Sequence, residues 1–165
     1  MSQASANLNI MIKAARRASR GLLRDFGEVE NLQVSSKAAG DFVTKADIKA
    51  EEIIYEELSE SRPNYGWLGE ESQEKKGRDP TRRWIVDPLD GTSNFLHGIP
   101  HWGISIGLEY KKEIIAGVIY DAIKDEMFTS EKGQGAWLND RRLRVSDRTN
   151  MIEMFFDTGM PFAQK

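Results

Sequence analysis

The chain has 165 residues, 39% hydrophobic and 30% charged, and its 23 Lys+Arg against 26 Asp+Glu leave a formal net charge of −3. That balance provides no overall positive field with which to gather nucleic acid or anionic lipid, so a histone-like polycation is excluded. The absence of cysteine removes disulfides, thiolate-bound zinc and thiol nucleophiles together, fits a reducing compartment, and restricts metal chemistry to oxygen donors with at most two imidazoles.

One domain is the default at this length, and such a chain buries about 70% of its unfolded surface. No run approaches the roughly 18 apolar residues of a membrane span. The opening segment is interrupted by Arg16, Arg17 and Arg20, so it reads as a helix of the mature protein and not as a signal peptide; the cytoplasm is the default compartment. The spacing of Leu8, Met11, Ile12, Ala15, Ala18, Leu22 and Leu23 predicts a helix from Asn7 to Phe26, ended by Gly27. Val29 to Phe42 is less regular and reads as short strands flanking a mobile loop. A second helix is expected from Thr44, which has a Ser/Thr-x-x-acid cap spacing with Asp47, to Pro63.

Two strand-like bursts follow, each ending in acid: Tyr65 to Gly69 before Glu70-Glu71, and Trp84 to Val86 before Asp87. A charged loop from Ser72 to Arg83 separates them. Beyond Gly103 the alternation becomes that of a meander, with strands expected over Ile104–Tyr110, Ile114–Tyr120, Glu126–Thr129 and Gly135–Leu138. Ile152 to Phe156 is a further apolar run, turned out by Asp157 to Pro161. Helices first and a meander afterwards suggest a layered α+β fold with an antiparallel sheet. The chain stops at Lys165 shortly after that turn, so it is expected to be the front part of something longer.

The informative stretch is Trp84-Ile85-Val86-Asp87-Pro88-Leu89-Asp90-Gly91-Thr92-Ser93-Asn94-Phe95. A strand ends on Asp87, Pro88 stiffens the turn, Asp90 follows three residues later, and Gly91-Thr92-Ser93 can open a helix. Two carboxylates held close are costly unless a cation lies between them. Mg²⁺ accepts such hard oxygen ligands and retains waters and substrate phosphate. Amides of Gly91 and Thr92 at a helix start suit a phosphate. Glu70-Glu71, at the end of the preceding strand, are expected to converge on the same cation. Each piece alone is also what a turn, a helix cap or a solvated loop selects; jointly they point to phosphoryl chemistry.

Gly69-Glu70-Glu71-Ser72 followed by the Trp-Ile-Val-Asp-Pro-Leu-Asp-Gly-Thr run resembles the signature of the inositol monophosphatase family, magnesium-dependent and lithium-sensitive phosphatases. The resemblance extends from Asp41–Asp47 to Gly133–Asn139 and Arg144-Val145-Ser146. It implies a layered α/β/α sandwich with a largely antiparallel sheet, of which residues 1–165 would be a single N-terminal metal-binding domain. It further implies that Glu70, Asp87 and the Leu89 carbonyl bind a first Mg²⁺, and that Asp87 bridges to a second held also by Asp90. Thr92 with Glu70 would orient the attacking water, Asp47 would hydrogen-bond the Thr92 hydroxyl, and Gly91, Thr92 and Asp90 would contact substrate. The family's later Trp-Asp-x-Ala motif, which supplies a further aspartate, does not occur in these residues.

The resemblance thus implies hydrolysis of inositol monophosphate or a related small sugar phosphate. Its rivals are a regulatory or transcription-associated binding protein on the same fold, and an inactive truncated remnant. A homodimer is the expected assembly, with no membrane and no nucleic acid as partner. Lys37 could support a third, water-rich metal shell. His97 and His101 lack a third imidazole and read as structural or surface residues, the four tryptophans as sheet or core, and Arg141-Arg142-Leu143-Arg144 as the solvated side of a hairpin.

Overall fold

The computed structural model describes residues 4–29 and 36–156. Helix α1 spans Ala6–Val29 and buries Leu8, Met11, Ala15, Ala18 and Leu22, the stripe that the apolar spacing predicts. It runs past Gly27 because Val29, only 1% exposed, anchors one further turn, and that burial outweighs the roughly 1 kcal/mol that glycine costs inside a helix.

Helix α2 spans Ser36–Ser61 and corrects two expectations. Ser36 to Phe42 is helical where short strands were expected, with residues 30–35 outside the described residues. Thr44 and Asp47 are interior to the helix and do not cap it: the Thr44 hydroxyl donates back to the Gly40 carbonyl at 3.0 Å, the bond that Ser and Thr make to the preceding turn, while Asp47 is buried. The stripe that governs is Val43, Ala46, Ala50, Ile54 and Leu58, all buried. Where α1 and α2 meet, the buried Glu57 carboxylate is bonded by Lys13 and by Arg17, the latter at 3.3 Å. The Lys13 hydrogen bond, more than any other contact, holds its pKa below the usual carboxylate range.

The sheet comprises β1 (Gly66–Gly69), β2 (Arg82–Asp90), β3 (Gly103–Tyr110), β4 (Glu113–Asp121), β5 (Glu126–Glu131), β6 (Gly135–Leu138) and β7 (Arg141–Arg142), in that spatial order. Only β1 and β2 pair in parallel; every later pair is antiparallel. A short helix α3, Thr92–Leu96, leaves the end of β2. Alternation sends Trp84, Val86, Ile104, Ile106, Leu108 and Val118 inward against α1 and α2. It sends Ile85, Ser105, Gly107, Gly117 and Ile119 to the opposite face, where with Phe128 and Leu143 they line an apolar groove of about 440 Å³.

Both long helices pack on the first face, and the second helical layer of the expected sandwich is not among the described residues. The run Ile152 to Phe156 forms no strand: Met151–Glu153 is a single 3₁₀ turn, and Ile152 and Phe155 are 92% and 91% exposed. The turn expected over Asp157 to Pro161 lies outside the described residues. Among the described residues no helix is long and apolar enough to cross a membrane.

Candidate metal and phosphate site

The parallel pairing of β1 with β2 brings the acids together. Gly69 is in register with Val86, so the next pair in the ladder is Glu70 beside Asp87, and the Glu70 N–H extends the ladder by donating to the Val86 carbonyl at 3.1 Å. Paired residues of neighbouring strands share a face. Asp87 then shapes its own turn: the Leu89 N–H donates to Asp87 Oδ1 at 3.0 Å, an Asx-type bond that fixes the carboxylate.

Asp90 reaches the same region through an irregularity. Asp87 lies opposite Ser105 but Asp90 opposite Gly103, so β2 spends three steps where β3 spends two. Residues three apart on a regular strand face opposite sides; one extra residue returns Asp90 to the side of Asp87. The bulge also explains how Pro88, which has no N–H to donate, is accommodated in an interior strand.

Gly91 turns the chain into α3 with φ of 95°, a conformation that glycine adopts without the steric cost an L side chain meets. A Cβ there would also lie 3.0 Å from the His101 carbonyl oxygen. The packing of this turn is therefore sufficient to require glycine. Phe95, fully buried, clamps α3 to the core through edge contacts with Phe26 and Trp102, each with ring centroids 5.2 Å from its own. The Thr92 hydroxyl donates to the Leu89 carbonyl at 3.0 Å. The bond expected between Asp47 and Thr92 is thus replaced, since the threonine proton is committed to the turn beside it.

From the other side, α2 presents Asp47 and Glu51, one turn apart and both buried. Burial, foremost, and then the charges of Glu71, Asp87, Glu70 and Glu51 push the Asp47 carboxyl up to about 8. Burial and the adjacent Glu70 push Asp87 up to about 7. Glu71 is raised by burial and by the charges of Glu70 and Glu51. Every one of these neighbours is a carboxylate. Asp47 Oδ1 is also buried with no hydrogen-bond partner.

Glu70 and Asp87 come within hydrogen-bonding reach of each other, with exposed Asp90 and buried Asp47 flanking them. The tight three-carboxylate convergence expected from the sequence is met only as this pair: among the described residues no three His, Asp or Glu side chains form a cage able to hold a metal ion. The donors themselves fit a hard cation that keeps part of its water shell. They are oxygens only and they repel one another, and beside them Asp47 Oδ1 is buried without a hydrogen-bond partner.

The remaining candidates stand apart. His97 is exposed, with Nδ1 2.8 Å from the Ser93 carbonyl oxygen, and His101 is exposed on the loop leading to β3. Trp67, Trp84 and Trp102 are core residues; Arg141 and Arg142 form the exposed edge strand β7. The Lys37 side chain lies outside the described residues. Glu51 escapes sequence reasoning, although its position four residues after Asp47 puts both on one helical face, a signal that the periodicity carries.

Comparison with known proteins agrees with this architecture. The sequence model of the Inositol monophosphatase family matches residues 4–159. An inositol-1-monophosphatase of Mesorhizobium japonicum is 57% identical over 157 residues, 95% of this chain and 59% of that protein. The Nus factor SuhB of Escherichia coli is 38% identical, over 96% of this chain and 59% of that protein. Among solved structures, the extragenic suppressor protein suhB of Bartonella henselae superposes with a TM-score of 0.78 at 54% identity, covering 87% of this chain and 56% of its own. The inositol monophosphatase of Anabaena (Nostoc) gives 0.72 at 35%, covering 86% and 50%. The chain therefore spans a little under three-fifths of the length of the curated relatives it matches.

Proposed function

The chain belongs to the inositol monophosphatase family, and we propose that it is the N-terminal, metal-binding part of a cytoplasmic phosphatase that hydrolyses inositol monophosphate or a related small sugar phosphate with Mg²⁺. The observation that carries this reading is the parallel register that sets Glu70 beside Asp87, with the bulge returning Asp90 to the same side. Glu70, Asp87, the Leu89 carbonyl and Asp90 would hold the metal. When bound, Mg²⁺ supplies a lowered pKa for the attacking water and charge compensation for the phosphoryl and leaving oxygens.

The chain's own groups supply orientation. Thr92 gives its proton to the Leu89 carbonyl, which leaves its oxygen lone pairs to accept a hydrogen bond from the nucleophilic water, while Glu70 accepts a second from the other side. The Gly91 and Thr92 amides, at the left-handed entry to α3, donate to phosphate oxygens. Asp47, whose carboxyl is pushed up to about 8 in the metal-free chain by burial and then by the neighbouring carboxylates, stands beside this set. Lithium sensitivity and a homodimeric assembly belong to the same reading by family likeness.

Phosphate release from inositol 1-phosphate tests it. Activity should require Mg²⁺, and Asp87→Asn should lower it by at least about 100-fold, since one ligand of the metal is lost. The relatives named Nus factor SuhB favour a second reading, a binding role on the same fold. A function that survives Asp87→Asn while no substrate is turned over would select that second reading.

A further inference from the structure

We propose that Glu51 is a positioning residue for the acid pair: its buried carboxylate tethers the backbone at Glu71 to α2 and thereby sets the direction in which Glu70 is presented. The proposal rests on the reading that Glu70 holds the metal. Glu51 is only 3% exposed, and its Oε2 accepts the Glu71 N–H at 2.8 Å. The adjoining Glu70 N–H is held by the Val86 carbonyl at 3.1 Å. Two consecutive amides at the end of β1 are thus fixed to different elements, the first to the sheet and the second to the helix. With both fixed, the peptide between them has little freedom to rotate, and the Glu70 side chain leaves from a defined direction.

Two further features identify the tether as a built feature. Gly69 closes the approach: a Cβ at that position would overlap the Glu51 carboxylate, so glycine there makes room for the acid. Stability alone would also disfavour the arrangement, because it buries an acidic side chain on α2 beside the carboxyl groups of Glu71 and Asp47. An apolar residue would avoid that crowding but would leave the Glu71 N–H without its acceptor.

Magnesium affinity measured calorimetrically, with amide exchange of Glu71 followed by NMR, separates the possibilities. Glu51→Ala should weaken Mg²⁺ binding about 10–100-fold, the usual effect of removing a group that orients a ligand, and should expose the Glu71 amide to exchange. Glu51→Gln, whose amide oxygen can accept the same N–H, should restore both. Gly69→Ala should reproduce the Glu51→Ala defect with Glu51 intact. Affinity and Glu71 protection unchanged in Glu51→Ala would overturn the proposal, as would Glu51→Gln behaving like Glu51→Ala, which would make charge and not hydrogen bonding the operative property. Should the wild type bind no Mg²⁺, the reading of Glu70 as a ligand fails; loss of Glu71 protection in Glu51→Ala and its return in Glu51→Gln would then still support the tether.

Discussion

Asp47 is a carboxyl group in an environment that suits only its neutral form. Buried against other carboxylates, it titrates near 8 in the folded chain against 3.8 ordinarily, and Asp87 follows in the same direction, to about 7. The sign follows by linkage: between pH 4 and 8 the unfolded chain releases a proton that the folded chain keeps, so the metal-free protein loses stability as pH rises through that window. Thermal melts in EDTA from pH 5 to 8.5 should show the midpoint falling, and Asp47→Asn should flatten the decline and raise the midpoint at pH 8. A flat profile in the wild type would contradict the charge crowding described for the site. At this scale, what the sequence disclosed were the acids at strand ends, because Glu70 and Asp87 each close an apolar burst. The protonation of Asp47 and the involvement of Glu51 were not legible, since both depend on burial that only the packed helix creates.

The site is assembled by four elements, β1, β2, α2 and α3, and α3 is the one least able to hold its own shape. Its five residues are far too few to be stable alone, so its position derives from Phe95 wedged against Phe26 and Trp102. Phe95→Ala should cost about 3–5 kcal/mol, the usual range for deleting a buried aromatic ring, as read from urea unfolding; a loss below about 1 kcal/mol would show that α3 is held by other means. The meander β3 to β6 was legible because half-buried antiparallel strands alternate, as in Ile104, Ile106 and Leu108. Two features were not. The start of α2 was hidden because Ala39-Gly40 has the composition of a loop, while Val43, Ala46 and Ala50 supply the packing that fixes the helix around it. The parallel partnership of β1 with β2 and the bulge at Pro88 depend on pairing between strands, about which a strand's own residues say little.

For the whole molecule, the two sides of the sheet are unequal. One is covered by α1 and α2; the other carries the apolar groove, with Ile114 and Ile119 each 53% exposed, on a chain that matches 59% of the length of its curated relatives. An apolar surface of this kind promotes association. Light scattering of the 165-residue chain should show a mass that rises with concentration, and Ile119→Lys should reduce it; a monomer at every concentration would contradict this account of the uncovered face. The claim on which the functional reading depends is narrower, namely that Glu70 and Asp87 are paired in order to share a cation. A crystal structure of the chain grown with Mg²⁺ tests it most directly. The account predicts a cation about 2.0–2.1 Å from oxygens of both carboxylates, with the Leu89 carbonyl turned toward it; no ion between Glu70 and Asp87 under saturating Mg²⁺ would contradict it.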